Sequence, residues 1–536
     1  MDKNTILAFL LIGMILILMP YYQRLFVTPA QKAPPQEKVT PKREERTSAD
    51  GEVPPGDLAG LTSARRVQGE EALYPLRTQF VPRSIPIEND LVRGRISTKG
   101  GVIESWRLKK YKGIEGEDVE LIPEGAKGLV LSLHDGRQSL DLSEVEFVPD
   151  KRNLILTSEE RGTITFVAHL GGGKRIEKEY KIRQDEYVVE MDVVFTGFDP
   201  RTKCRLEWRG GINTTEKNIK EDLAYTKAYS YMGGEVEQFD CKNKKIKRLL
   251  SGKLDWFGVR SKYFLISLIP TDGREGDVEI SGEPDESGQR KIYNLSFESD
   301  IVEGKVSNIV YLGPIEYNRL KGYNLDLDKV MDFGWPIVRS ISKIFLRFFV
   351  LMHKVIPNYG VVIIIFSMII KILVYPLTKK SYQATADMQR LQPKIAALQQ
   401  KYKNDRQRLN RELMRLYKEH GVNPMGGCLP ILLQMPIFFA LYKVFRNTIE
   451  LRQAEFVLWL KDLSQPDPYY VLPILMGATT FIQQRMTVKD PKQKAMSYIM
   501  PVILVFIFLN FSSGLVLYWT MFNVLSSLHQ WFLQKK

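Results

Sequence analysis

Residues 360–378, GVVIIIFSMIIKILVYPLT, form an apolar stretch long enough to cross a bilayer, and its one charged residue is Lys371. A positive charge inside a spanning helix costs at least about 2.5–3.5 kcal/mol on insertion scales. Ser367, Lys371 and Tyr375 are spaced four residues apart and so lie near one helical face. We expect this polar stripe to face a partner helix or a water-filled cavity. In the alternative interpretation, the lysine stem runs along the helix and carries the charge to the membrane surface.

The composition divides the chain into two kinds of region. The 536 residues are enough for two or more domains and carry a formal net charge of +14. The mean hydropathy of −0.19 averages long apolar runs, in the first 20 residues and after about residue 335, with a polar middle. Much of the positive charge lies in residues 379–420, which contain eleven Lys or Arg and four Asp or Glu.

The three cysteines, Cys204, Cys241 and Cys428, have no spacing typical of a metal or redox site. Cys204 and Cys241 could form a disulfide if their domain lies outside the cytoplasm. Free thiols are the alternative, and the sequence leaves both open.

The N-terminal residues predict a membrane anchor followed by a linker. Residues 6–19 are apolar and no small-residue cleavage site follows them, which indicates an uncleaved signal anchor. Residues 24–75 are rich in proline and in charges of both signs, so they bury too little apolar surface to order themselves.

The polar middle of the chain shows short alternating runs separated by turn residues, a pattern typical of a large all-β sandwich. The runs are residues 91–97, 102–108, 153–157, 163–169, 187–195, 263–269, 291–297 and 306–312. His134 and His169 fall within strand-like segments, where a structural role is the simpler interpretation.

Residues 332–355 change to a helical period. The spacing of the apolar side chains predicts that they share one face of a helix. Arg339, Lys343 and Arg347 then lie on the opposite face. Aromatic residues on the apolar side favour a helix lying in the membrane interface. An ordinary packed amphipathic helix is the alternative.

Beyond residue 378, the apolar residues from 388 to 402 and from 409 to 420 repeat at intervals of three and four. This pattern predicts a basic helical hairpin of coiled-coil type with a turn at residues 403–405. Further apolar spans follow at 429–445, 469–486, 497–511 and 514–532, which gives six spans with the anchor. The positive-inside rule places the hairpin and both termini in the cytoplasm and the β-domain outside.

The segments LVYPLTKKSYQATADMQRLQPKIAALQQKY, GVNPMGGCLPILLQMPIFFALY, LWLKDLSQPDPYYVLPILMG and SSGLVLYWTMFN resemble the bacterial YidC membrane-protein insertases. The resemblance is dense from about residue 332 to 532 and weaker over the outer domain. It implies six spans, a periplasmic β-super-sandwich similar to sugar-mutarotase folds, and a cytoplasmic helical hairpin. The expected divisions are 1–23 (anchor), 24–75 (linker), 76–331 (β-domain), 332–356 (interfacial helix), 357–378 (span with Lys371), 379–425 (hairpin) and 426–536 (four spans).

The resemblance also implies a positively charged hydrophilic groove that is open to the cytoplasm and to lipid. Its central charge in the family is usually arginine, and the matching position here is Lys371. The expected groove residues are Lys371, Ser367, Gln434, Trp519 and Tyr518, and the expected apolar slide contains Met435, Pro436 and Phe506. Trp519 stands where the family often has tyrosine, so it keeps an N–H donor but loses the hydroxyl.

The resemblance therefore implies an insertase and chaperone of the bacterial inner membrane with no catalytic residue and no cofactor. The implied partners are nascent membrane proteins, the lipid bilayer, the Sec translocon, and the ribosome or signal recognition particle through the hairpin; no nucleic-acid specificity is expected. An alternative is a tethered carbohydrate-active β-sandwich that uses His134 or His169. A transporter that uses Lys371 is less favoured, because the predicted spans contain no Asp or Glu.

Overall fold

A computed structural model describes residues 80–135, 139–157, 160–272, 274–422, 429–487 and 494–535. The predicted anchor and linker, Cys428, and the basic residues Lys489 and Lys492 lie outside these ranges. The described chain consists of a β-domain (residues 84–314), a short helical connection and a helical half (residues 336–535).

The β-domain confirms the expectation of an all-β middle region. Its strands are β1 Ser84–Glu88, β2 Val92–Ser97, β3 Val102–Lys112, β4 Asp118–Glu120, β5 Lys127–His134, β6 Ser139–Asp141, β7 Val148–Pro149, β8 Leu154–Ile155, β9 Arg161–Leu170, β10 Lys174–Arg183, β11 Val188–Thr196, β12 Lys203–Arg209, β13 Lys227–Met232, β14 Glu235–Phe239, β15 Ile246–Arg260, β16 Phe264–Pro270, β17 Glu275–Pro284, β18 Lys291–Asp300 and β19 Lys305–Pro314. Each of the eight predicted runs overlaps a strand, although the run at 153–157 includes only the two residues of β8.

The strands form two largely antiparallel layers that share one long strand. The first layer has the order β8-β1-β2-β3-β5-β12-β18-β17-β15, and the second has the order β7-β9-β10-β11-β19-β16-β15-β13-β14. The first half of β15 pairs with β17, and its second half pairs with β13 and β16. β15 therefore joins the two layers covalently.

Alternating side chains from both layers enter one apolar core. Trp106 on β3 is buried, and its indole N–H donates to the Leu312 carbonyl on β19 at 2.9 Å. Cys204 and Cys241 are buried free thiols, so the structure does not contain the disulfide that the sequence left open.

Lys178 on β10 is an exception to the apolar core. Its side chain is fully buried, and its amine donates to the carbonyls of Gly100, Gly101 and Leu129 at 2.8, 3.2 and 2.9 Å. Burial lowers the pKa of the Lys178 amine to about 7. Three carbonyl acceptors compensate for the lost hydration, and the lysine ties the β2–β3 turn to the neighbouring strand β5.

The helices are α1 Ile219–Tyr225, α2 Tyr317–Gly322, α3 Pro336–His353, α4 Tyr359–Lys401, α5 Arg406–Glu419, α6 Leu429–Asn447, α7 Val471–Thr487, α8 Lys494–Phe508 and α9 Ser513–Lys535. Within the described residues, one segment, Tyr359–Pro376 of α4, has the length and apolar composition required to cross a membrane, and Ser497–Phe508 is a shorter apolar helix. One continuous helix, α4, thus runs from the predicted Lys371 span into the predicted hairpin.

The helix α3 has two different apolar surfaces. Val338, Phe345 and Phe349 are buried, and Phe345 and Phe349 both pack against Phe366 of α4. Ile337 and Ile344 are each more than 60% exposed. The single apolar face that the sequence suggested is therefore divided between packing against the protein and exposure.

α4 and α5 form an antiparallel pair joined at residues 402–405. Asp405 caps α5 by accepting the Arg408 N–H at 2.9 Å, and Leu391 and Ile395 of α4 are buried. The charged side chains Arg390 and Arg415 remain exposed. The basic surface of this pair is therefore accessible.

Candidate functional site

Lys371 lies in the apolar part of α4, and its amine contacts α9. The amine donates a hydrogen bond to the Ser526 hydroxyl at 2.7 Å and lies 4.9 Å from the centroid of the Phe522 ring. The Ser526 hydroxyl donates to the Phe522 carbonyl at 2.7 Å, which leaves its lone pairs available to the amine. Since Ser526 is only 1% exposed, the lysine charge is in contact with the interior of the helical half.

The two other residues of the predicted polar stripe have different surroundings. Ser367 is fully buried, and its hydroxyl donates to the Ile363 carbonyl one turn earlier at 2.6 Å. Tyr375 packs edge-on against His529 of α9, with 4.9 Å between the ring centroids. Tyr375 therefore faces the same helix as Lys371, whereas the Ser367 hydroxyl is used within α4.

Gln434 on α6 and Tyr518 on α9 both carry buried polar atoms. The Gln434 side-chain nitrogen and the Tyr518 hydroxyl are both buried, and the two side chains interact with each other. The Tyr518 ring packs against Phe366 and Phe522, at 6.0 Å between centroids in each case. Tyr518 and Lys371 therefore both contact the Phe522 ring. The buried polar atoms of Tyr518 and Gln434 can also bind a partner that brings its own donors or acceptors.

Trp519 belongs to an aromatic cluster formed with α6 and α8. Its ring lies 5.3 Å from that of Phe438 and 5.8 Å from that of Phe508. Its described contacts are therefore with apolar rings, in contrast to those of Lys371. The two residues were placed in one expected groove by the family resemblance.

The residues expected to form an apolar slide lie on two helices. Met435 and Pro436 are half-buried in α6, and Phe506 is 67% exposed on α8. Ile499 and Val502 are also exposed and precede Phe506 at intervals of three and four residues. They therefore extend the exposed apolar row along one face of α8.

Sequence reasoning missed the polar residues of α9. Asn523 donates to the Thr480 hydroxyl of α7 at 2.7 Å, and Ser526 accepts from Lys371. Asn523, Ser526 and Gln530 are buried and recur at intervals of three and four. That spacing in an apolar helix is the signal that could have identified them.

The two histidines of the tethered-enzyme alternative lie in different layers of the β-domain. His134 ends β5 in the first layer, whereas His169 lies on β9 in the second layer and is exposed. Among the described residues, no group of three His, Cys, Asp or Glu side chains is arranged to hold a metal ion.

Comparison with known proteins assigns both halves of the chain. Residues 84–347 match the family model described as the YidC periplasmic domain, and residues 351–536 match the model described as the 60Kd inner membrane protein. A solved structure described as an active YidC insertase aligns over 86% of this chain and 95% of its own, with 18% identity and a TM-score of 0.39.

Curated relatives extend the match over the whole chain. The membrane protein insertase YidC of Chlorobaculum parvum is 34% identical over 99% of this chain and 94% of its own length. The protein of the same name from Syntrophus aciditrophicus is 34% identical over the full length of both chains. On this similarity, the chain belongs to the YidC family of membrane protein insertases, inner-membrane proteins with a periplasmic β-rich domain and a helical C-terminal region.

Proposed function

We propose that Lys371 is the central charge of a polar groove that receives the hydrophilic segment of an entering membrane protein. The observation that carries the proposal is the contact of its amine with Ser526, because it keeps the charge between helices. Tyr518, which packs against the same Phe522 ring as Lys371, and the buried polar group of Gln434 add polar groups to the proposed groove. Ser367 contributes as a buried neighbour whose hydroxyl is bonded within α4.

Lys371 acts by electrostatic attraction. An acidic segment in a partly dehydrated groove interacts with a positive charge more strongly than it would in water. The attraction partly offsets the cost of bringing carboxylates into a low-dielectric region. The hydroxyl of Ser526 is a neutral partner, so a client carboxylate can compete with it for the amine.

The apolar segment of the client leaves sideways along the exposed row of α8. Phe506 with its two exposed neighbours, and Met435 and Pro436 of α6, provide the apolar edge. Transfer of about 20 apolar residues into lipid supplies the driving force. Trp519 supports this edge from within the aromatic cluster, since its ring packs against Phe438 and Phe508.

The proposal includes six spans, with the α4–α5 hairpin and both termini in the cytoplasm. It is supported by the basic residues that follow the Lys371 span. The hairpin would bind the ribosome or the signal recognition particle through exposed charge, and the protein would act alone or with the Sec translocon. Binding through the hairpin should then weaken steeply with salt, since exposed charges are screened beyond about 8 Å at physiological ionic strength.

The test is an insertion assay with two clients that differ only in an acidic or a neutralised outer segment. The protein would be reconstituted unmodified, as Lys371→Arg and as Lys371→Met. We expect Lys371→Arg to insert both clients, because the charge is retained. We expect Lys371→Met to lose most insertion of the acidic client and little of the neutral one.

Two results would contradict the proposal. Equal losses for both clients with Lys371→Met would mean that the lysine only anchors its helix. Full activity of Lys371→Met on the acidic client would remove the charge from the mechanism. Melting curves of all three proteins separate these outcomes from simple unfolding.

A further inference from the structure

The segment between α6 and α7, residues 448–470, is bound on one side by the β-domain. Arg452 of this segment donates a hydrogen bond through Nε to Glu216 of the β-domain at 2.7 Å. The Arg452 and Glu216 side chains are only 2% and 6% exposed. Arg452 also donates through Nη2 to the Lys112 carbonyl at 2.8 Å, and Gln453 donates to the same oxygen at 3.1 Å. A planar guanidinium with several fixed donors suits such a multiple contact.

The β-domain orients Glu216 from its own interior. Glu216 lies in the connection between β12 and α1, and Asp222 of α1 is fully buried. One carboxylate oxygen of Asp222 accepts the Thr215 N–H at 2.8 Å, and the other accepts the Lys262 N–H at 2.9 Å. These hydrogen bonds hold the backbone next to Glu216 within the β-domain, without a contribution from the helical half.

A second ion pair crosses the same junction. Arg446 at the end of α6 contacts Glu221 of α1 at 3.1 Å, and the buried Lys262 contacts the same carboxylate oxygen at 3.2 Å. The Arg446 guanidinium also lies 5.5 Å from the centroid of the Tyr225 ring. Residues 215–225 of the β-domain thus hold two arginines of the helical half.

On its other side, the segment 448–470 is bonded to the beginning of α9. The backbone N–H groups of Ser513 and Gly514 donate to the carbonyls of Gln465 and Leu463 at 2.7 and 3.0 Å. The Leu463 N–H donates to the Ala454 carbonyl, two residues from Arg452, at 3.0 Å. A methyl group added at Gly514 would lie 3.2 Å from the Leu463 oxygen, so the approach is close. Hydrogen bonds and one short stretch of chain therefore connect the β-domain with α9.

We infer that Arg452 is a positioning residue through which the β-domain fixes the segment 448–470 and the first turn of α9. The helix that it positions carries Ser526, the partner of Lys371. The β-domain is then a structural support of the membrane half rather than a separate appendage. This inference is independent of the proposed groove, because it concerns the order of a backbone and not the client.

The test is hydrogen–deuterium exchange of the full chain in lipid nanodiscs, read at the peptide that contains the amides of Ser513 and Gly514. We expect Arg452→Met to accelerate exchange there by about tenfold or more, because loss of the Arg452–Glu216 contact lowers the free energy of local opening. Lys461→Met is the matched control: it lies in the same segment but its pair with Glu455 is exposed on both sides. We expect this control to leave the exchange unchanged.

Unchanged exchange at Ser513 and Gly514 in a folded Arg452→Met protein would overturn the inference and confine Arg452 to a local contact. If Arg452→Met does not fold, the double variant Arg452→Met/Glu216→Gln removes the unpaired buried carboxylate. Faster exchange at the two α9 amides in that protein then supports the inference, and unmodified exchange overturns it. Arg452→Lys, which keeps the charge but loses the second donor arm, should give an intermediate rate.

Discussion

Two cations of the helical half, Arg452 and Lys371, have different surroundings. Arg452, at the junction with the β-domain, meets a carboxylate at 2.7 Å and two backbone carbonyls of the β-domain. Lys371, within the apolar helices, contacts a serine hydroxyl and an aromatic ring. Both residues are positively charged, and Arg452 has a carboxylate and two backbone carbonyls of a different domain as fixed acceptors.

This difference in partners distinguishes a charge with a structural role from a charge for which we propose a role in client binding. A buried ion pair with its remaining donors satisfied holds two surfaces in one register, and removal of one partner is strongly destabilising. A cation beside neutral groups can exchange them for a stronger, charged partner. The junction therefore suits permanent attachment, in contrast to the transient client binding that we propose for Lys371.

The largest expected effect is at the junction. Arg452→Met and Glu216→Met should each lower the free energy of unfolding by about 3–5 kcal/mol, because each leaves the opposite charge buried alone. The double variant should lose much less than the sum. Denaturation of all variants in the same detergent measures this coupling. The exposed pair Lys461–Glu455 is the control, with an expected coupling below about 1 kcal/mol. Additive losses for Arg452→Met and Glu216→Met would mean that the buried pair contributes no coupling energy and does not hold the junction together.

The next effect concerns the residue that orients the junction. Asp222→Ala should cost about 2–4 kcal/mol, because it leaves the buried N–H groups of Thr215 and Lys262 without acceptors. Urea or thermal denaturation measures the loss. The surface variant Asp300→Ala, from a side chain that is 80% exposed, should change stability by less than about 0.5 kcal/mol. A similar small change in Asp222→Ala would show that the connection to α1 is held by other contacts.

Glu450, beside the junction, should make stability depend on pH. Burial and the nearby charge of Glu316 raise the pKa of its carboxyl to about 7 from the ordinary 4.5, and one of its oxygens is buried without a hydrogen-bond partner among the described residues. As the pH rises past about 4.5 the unfolded chain ionises first, so the native state loses stability up to about pH 7.

Glu450→Gln should remove this loss. The variant should match the unmodified protein near pH 4 and exceed its stability by up to about 3 kcal/mol at pH 8. Unfolding midpoints at the two pH values provide the comparison. A difference that does not vary with pH would mean that Glu450 has the same pKa in both states.

The smallest effect is expected at the partner of Lys371. Ser526→Ala removes the hydrogen bond from Lys371 and the local one to the Phe522 carbonyl, and should cost only about 1–2 kcal/mol. Ser527→Ala is the control, because the Ser527 hydroxyl is buried without a partner among the described residues and its removal should cost nothing. The free energies of unfolding of the two variants, each compared with the unmodified protein, measure this difference. A loss at Ser526 as large as that at Arg452 would make Lys371 a structural charge as well.

The sequence by itself determined the local structure. The alternating runs of the middle region predicted strands, and the Gly100-Gly101 pair marked the turn between β2 and β3, where both residues have positive φ. The apolar run around Lys371 and the regular spacing beyond it predicted the helical course of α4 and α5. These features follow from side-chain periods of two residues in strands and 3.6 residues in helices, and both periods can be recognised from residues that are close in sequence.

Only the tertiary structure decided the partners of the polar residues. Arg452 and Glu216 are 236 residues apart, and Lys371 and Ser526 are 155 apart. Lys178 takes an inward position of a strand because three carbonyls of β5 and the β2–β3 turn surround its amine. Trp519, which the family resemblance grouped with Lys371, packs against the rings of Phe438 and Phe508. A hydrogen bond or a ring contact depends on distances set by the packing of remote segments, and no local period records them.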